Sequence, residues 1–134
     1  MKSIDELTFP EDVRYAEDHE WARQSNGNIF IGISDFAQDQ LGDIVYVELP
    51  RIDTVFHKGE TFGTVESVKA VSELYMPISG VIKTANSELE AAPELVNHSP
   101  YDKGWMITVK PSDPDELNLL MDKSAYLAML SGLK

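Results

Sequence analysis

A mostly β fold, a β-sandwich or flattened barrel with a short internal helix and a C-terminal helix, is the class this sequence predicts. Three observations carry it. Short β-rich runs recur through most of the first 110 residues, each bounded by turn residues. Asn26-Gly27-Asn28 stands directly before Ile29-Phe30-Ile31-Gly32-Ile33, a hairpin signal. The chain has 134 residues, 43% of them apolar, which is material for one core and a single domain spanning 1–134.

Taken in order, a first strand is expected from Tyr15 or Glu20 to Gln24, and a second over Ile29–Ile33. Ser34 or Asp35 can cap a short helix through Leu41, because Phe36, Ala37, Gln40 and Leu41 lie one turn apart and Gly42 suits a left-handed stop. Ile44–Leu49 reads as a strand that ends at Pro50. Further strands are expected over Thr61–Val68, Val71–Tyr75, Gly80–Thr84 and Trp105–Lys110. A longer helix is predicted over about 113–131, packed on the open side of the sheet. Asp113 caps it, Pro114 fits its first position and Glu116 completes a capping box. Its apolar stripe is Leu117, Leu120, Met121 and Ala125, and Gly132 can end it.

Charge and composition exclude several functions. The chain carries 23 acidic against 11 basic side chains, a formal net charge of −12. Nucleic-acid backbones and anionic membranes require Lys and Arg where this surface offers carboxylates, so partners with basic docking patches are expected instead. No apolar run approaches the roughly 18 residues that a membrane-spanning helix needs. Met1–Glu11 holds Asp5, Glu6 and Glu11 and resembles neither a signal nor a transit peptide, so a soluble, bacterial-type cytoplasmic protein is expected. Cysteine is absent, which removes disulfides, thiol nucleophiles and Cys-ligated metals together. His19, His57 and His98 show no metal-ligand spacing and read as surface histidines. With no phosphate loop, nucleophile elbow or dinucleotide fingerprint, a free-standing enzyme has little support.

The informative segment is Gly63-Thr64-Val65-Glu66-Ser67-Val68-Lys69-Ala70-Val71-Ser72-Glu73-Leu74-Tyr75-Met76-Pro77. Two β-runs meet at Val68-Lys69 without the Gly, Asn, Asp or Pro that a reversal ordinarily recruits. Such a broken local rule tends to mark a functional position. If Ser67–Ala70 is the reversal, Lys69 presents its amine at a rigid hairpin tip, where a modifying enzyme could grip it.

Here the sequence resembles the lipoyl-carrying domains, and among them the H-protein family of the glycine cleavage system. The resemblance rests on Val65-Glu66-Ser67-Val68-Lys69-Ala70 followed by Ser79-Gly80-Val81. It extends over Asp18-His19-Glu20-Trp21, Ile31–Gln38, Leu41–Pro50, Asn97-His98-Ser99-Pro100-Tyr101 and Gly104-Trp105-Met106, in the family's order. Biotin carriers usually flank the lysine with Met, and lipoyl domains of 2-oxoacid dehydrogenases usually precede it with Asp; Val68 and Ala70 fit neither.

The resemblance implies a barrel-sandwich hybrid, a lipoyl-domain-like β-sandwich, that carries lipoic acid in amide linkage on Lys69. It implies a cofactor carrier rather than an enzyme. Glu66 and Gly80 are expected to be read by the lipoyl-attaching enzyme. Glu20, with Trp21 as apolar cover, is the expected carboxylate where the aminomethyl-loaded arm folds back, and Glu73 is a second candidate. The implied partners are a pyridoxal-phosphate glycine decarboxylase, a tetrahydrofolate-dependent aminomethyltransferase and an FAD-dependent dihydrolipoyl dehydrogenase, each meeting a monomer. Two alternatives stand beside this reading: an H-like relay donating lipoyl groups to other carriers, and a small acidic adaptor without cofactor.

Overall fold

A computed structural model describes residues 2–132. Among them the chain runs through β1 (Arg14–Tyr15), β2 (Glu20–Ser25), β3 (Asn28–Ile33), α1 (Asp35–Leu41), β4 (Ile44–Glu48), β5 (Val55–Phe56), β6 (Thr61–Ser67), β7 (Val71–Tyr75) and β8 (Gly80–Ala85). Two one-turn helices follow, α2 (Glu88–Ala91) and α3 (Leu95–His98), then β9 (Ile107–Pro111) and α4 (Lys123–Ser131). The strands form a six-stranded sheet in the order β1-β2-β3-β9-β8-β5 and a three-stranded sheet in the order β4-β6-β7. All the pairings are antiparallel.

Local chemistry accounts for the first hairpin and for α1. Asn26 and Gly27 adopt φ of 52° and 84°, the two positive values a tight β2–β3 turn requires, and Ser25 pairs with Asn28 across it. Ser34 Oγ accepts the Ala37 amide at 3.2 Å, so α1 starts where its cap dictates. Gly42 stops it with a φ of 80°.

Both sheets contribute to one core. Ile29, Ile31 and Ile82 from the larger sheet meet Val47, Val65 and Leu74 from the smaller, all buried. Each such side chain contributes on the order of 1.5–3 kcal/mol by leaving water. A second cluster, on the far face of the larger sheet, is aromatic: Tyr15, Trp21 and Tyr126 are fully buried, and Tyr15 stacks on Tyr126 with centroids 4.4 Å apart. The Trp21 ring covers Gly32, where a Cβ would lie 2.8 Å from the indole.

The predicted helix over 113–131 is two pieces. Pro114–Leu119 is a 3-10 helix capped by Asp113, which accepts the Asp115 amide at 3.0 Å. Leu120 and Met121 then run extended, because Met121 exchanges two backbone hydrogen bonds with Tyr15 at the sheet edge, at 2.8 and 2.9 Å. Asp122 caps a new start, α4. The restart changes the phase of the apolar face, so α4 packs on the sheet through Tyr126 and Leu130 while Ala125 is exposed. Glu116 does not close a capping box; its carboxylate accepts the Ser79 amide at 2.7 Å. Gly132 ends α4 with a right-handed φ of −74°. No helix of the described residues is long and apolar enough to cross a membrane.

Gly80 begins β8, and a Cβ there would lie 2.3 Å from Val109 Cγ1 and 2.5 Å from the Lys110 carbonyl oxygen. Gly80→Ala should therefore cost about 2–3 kcal/mol by overpacking against a strand that cannot yield. Urea denaturation checks this; a midpoint equal to that of the wild type contradicts it.

Candidate functional site

The β6–β7 hairpin reverses through Val68, Lys69 and Ala70 without a residue of positive φ among them. Ser67 does what Gly or Asn would do elsewhere: its hydroxyl accepts the amides of Ala70 at 3.1 Å and Lys69 at 3.3 Å. Its own amide donates to the Ala70 carbonyl at 2.8 Å. The missing turn residues thus have a structural explanation in Ser67. The reversal is left free to display Val68, Lys69 and Ala70, all exposed.

One hydrogen bond ties the tip to the turn after α1, and the lysine stem passes close by. The Val68 amide donates to the Asp43 carbonyl at 3.1 Å. Lys69 Cε lies 3.6 Å from the place a Gly42 Cβ would take, so the aliphatic stem of the lysine crosses a bare glycine. Next to Gly42, Gln40 and Leu41 line a cleft of about 670 Å³ that runs between β7 and the β2–β3–α1 unit. Lys69 thus lies beside the Gly42 turn that follows these lining residues.

Glu20 lies in that cleft, 2% exposed. Its Oε2 accepts the Tyr75 amide at 3.2 Å, whereas Oε1 is buried without a hydrogen-bond partner. Burial pushes the carboxyl up to about 8, with the Tyr75 hydrogen bond pulling the other way and Asp18 adding to the rise. Glu73 is exposed at the same cleft, and Tyr75 joins the two acids, giving its amide to Glu20 and its hydroxyl to Glu73 at 2.9 Å. The apolar cover comes from Ile33, Phe36, Leu41 and Leu74. Trp21 is not part of it: neighbouring strand residues face opposite ways, so Glu20 points to the cleft and Trp21 into the second cluster, where its indole N–H donates to the Pro100 carbonyl.

His19 corrects the reading of three surface histidines. His57 and His98 are exposed, but His19 is half-buried beside Glu20, its Nδ1 2.8 Å from the Tyr126 hydroxyl. Burial lowers its pKa. Tyr126 also meets Ser34 Oγ at 2.8 Å, so one hydroxyl of α4 ties the cap of α1 to the turn ahead of Glu20. Periodicity within α4 could flag Tyr126 as apolar, but nothing local signals its hydroxyl's partners.

Glu66 is exposed on β6, between Tyr46 and Val71 of the neighbouring strands. Gly80 belongs to the other sheet, paired with Phe56 and Pro111, and the structure does not bring it to the Lys69 hairpin. Lys2, Ser3 and Ile4 also line the cleft, an element that composition alone did not reveal. The Lys2 amide anchors them by donating to Asp39 on α1 at 3.0 Å.

Comparison with known proteins bears on this arrangement. The glycine cleavage H-protein family profile matches residues 13–132. A glycine cleavage system H protein of Anaeromyxobacter sp. (strain K) is 56% identical over 124 residues, covering 92% of this chain and 97% of the relative. Its counterpart in Brevibacillus brevis is 53% identical over 124 residues, covering 92% and 98%. A crystal structure of a glycine cleavage system H protein from Mycobacterium marinum superposes with a TM-score of 0.85 at 33% identity, over 92% of this chain and 99% of that one. None of these matches favours a lipoyl relay or a cofactor-free adaptor. By sequence over nearly its whole length and by fold, this chain belongs to the glycine cleavage H-protein family.

Proposed function

We propose that this chain is the lipoyl-bearing carrier of the glycine cleavage system, with lipoic acid in amide linkage on Lys69. The observation that supports it best is the pairing of an exposed lysine tip with a cleft whose inner wall holds an unpartnered carboxylate oxygen, Glu20 Oε1. A lysyl-lipoyl arm of some ten bonds reaches about 14 Å. When bound, the group supplies a cyclic disulfide that accepts two electrons and takes the aminomethyl group of glycine on one sulfur.

The residues of the chain hold and protect that cargo. Glu20 Oε1 accepts a hydrogen bond from a primary ammonium, and the arriving cation offsets the burial that otherwise keeps Glu20 protonated. His19, its pKa lowered by burial, stays neutral near pH 7 and does not repel the ammonium. Ile33, Phe36 and Leu74 exclude water that would hydrolyse the aminomethyl group. Glu73 adds negative charge at the mouth. No group of the chain is assigned a catalytic role.

Recognition is divided. Glu66 offers a carboxylate on the open sheet face near the tip, for a lipoyl-attaching enzyme to read, while Gly80 lets β8 lie tightly on β9 and acts through sheet geometry. Glycine decarboxylase, aminomethyltransferase and dihydrolipoyl dehydrogenase each need brief access to the same arm. A surface of net charge −12 suits encounters steered by basic patches better than one permanent interface. A cytoplasmic monomer fits this traffic.

Intact mass of protein co-expressed with a lipoate ligase should show one lipoyl group, lost in Lys69→Arg, with the circular dichroism of the fold unchanged. Addition that survives in Lys69→Arg contradicts the assignment. Formaldehyde should escape several-fold faster from glycine-charged Glu20→Ala than from the wild type, measured without folate or transferase; equal rates remove Glu20 from the mechanism.

The unmodified protein tests the buried carboxyl separately. Glu20 titrates at about 8 folded against 4.5 unfolded, so the unfolded state releases the proton first and stability falls as pH rises between those values. The loss at pH 7 is about 3 kcal/mol. Glu20→Gln should therefore gain on the wild type progressively from pH 5 to pH 8 in denaturant titrations, and a pH-independent difference contradicts the buried titration.

A further inference from the structure

We infer that Asn97 is a positioning residue for the Lys69 tip, acting through the Gly42–Ile44 corner. This rests on the reading of Lys69 as the lipoyl-bearing residue.

The reversal at Val68–Ala70 closes on itself through Ser67, and the hydrogen bond that leaves it runs from the Val68 amide to the Asp43 carbonyl at 3.1 Å. Asp43 is thus the tip's hold beyond the β4–β6 and β6–β7 ladders that carry the hairpin up to Ser67 and from Val71. Asp43 follows the left-handed Gly42, at a point where neither α1 nor β4 holds the backbone in a regular ladder.

Asn97 on α3 grips both peptide units around it. Its Oδ1 accepts the Ile44 amide at 2.8 Å and its Nδ2 donates to the Gly42 carbonyl at 2.9 Å. The second Nδ2 hydrogen goes to Gln38 Oε1 at 2.9 Å. Gln38 in turn donates to Asp35 Oδ1 at 2.7 Å, and Asp35 Oδ2 accepts the Thr8 amide at 2.8 Å. One carboxamide thus ties the corner to α1, through a side chain that is itself held. The acceptor and both donor hydrogens of Asn97 have partners, an arrangement that neither aspartate nor a smaller polar residue reproduces. Asn97 lies 28 positions beyond Lys69 in the sequence and is not among the residues that line the cleft.

Without that grip, Asp43 loses its reference to α3 and the tip its reference to Asp43, while the Ser67 turn persists. A misplaced target residue weakens productive binding to a modifying enzyme, which appears in KM for the carrier rather than in kcat. The test compares the full-length wild type with Asn97→Ala, Asn97→Asp and Val96→Ala. The last removes buried volume from the same helix and leaves the carboxamide in place. Amide hydrogen exchange is followed at Val68 by NMR on unmodified protein, and lipoyl attachment by an ATP-dependent lipoate ligase supplied with free lipoate.

Val68 exchange should quicken about tenfold in Asn97→Ala and in Asn97→Asp, with KM for the carrier raised about tenfold and kcat within about twofold. Val96→Ala should stay within about twofold of wild type in both readouts, even with a matching loss of melting temperature. Equal Val68 exchange in the Asn97 and Val96 variants overturns the inference. If the wild type takes up no lipoyl group, the functional reading fails, and Val68 exchange alone still decides whether Asn97 positions the tip. Should Asn97→Ala fail to fold, Asn97→Asp, which keeps the shape and the acceptor for Ile44, carries the comparison.

Discussion

The first half of strand β2, residues 20–22, is buried on both faces, and the site follows from that constraint. Alternation along a strand sends Glu20 and Trp21 to opposite sides, and both sides are dry. Trp21 fills the aromatic cluster against Tyr101, its ring seated on Gly32. That packing fixes the register of β2 on β3, since a slip of one residue would exchange the indole with the carboxyl. A fully buried aromatic residue of the larger sheet thereby holds an acid where water would not otherwise leave one.

A carboxyl in such a place is unfavourable once ionised. The protein leaves Oε1 of Glu20 without a donor among the described residues, while Oε2 accepts the Tyr75 amide. Burying a polar group unsatisfied costs about 1–3 kcal/mol, a sizeable share of a small domain's stability. The cost has a rationale if a cationic amine is the missing partner, for then the same burial that destabilises the free carboxylate strengthens its attraction for the ligand. An exposed acid in the same position would be weak in water and unselective.

The lysine tip and the acid are carried by different elements, yet α1 relates them. Its first turn is capped by Ser34, which also meets Tyr126 beside His19, and its last residue leads into Gly42 beneath the lysine stem. The helix spans only Asp35–Leu41, too short to be stable by itself. Its rigidity comes from contacts at both ends: the Tyr101 hydroxyl accepts the Asp35 amide at 2.9 Å, and Asn97 reaches the Gly42 carbonyl. The Asn97–Tyr101 segment therefore acts as a bracket for α1.

By itself, the sequence determined what depends on neighbours along the chain. Alternating apolar runs located β2, β3, β4, β6, β7, β8 and β9, Asn26-Gly27 located a hairpin, and Ser34 with Gly42 bounded α1, because strand period, turn φ and helix caps are local properties. The residues around Lys69 also pointed to the family, since a modifying enzyme reads a continuous stretch. Tertiary structure alone decided the rest. The break between Leu119 and Asp122 exists because Met121 pairs with Tyr15, more than a hundred residues away in sequence. Two-residue β1 and β5 are too short to show a period. Glu20 and Glu66 look alike as strand acids, and only the packing of β7 against β2 buries the first while the second stays in water. Burial, and with it the chemistry of an ionisable group, depends on what the fold brings across the gap, which no local pattern encodes.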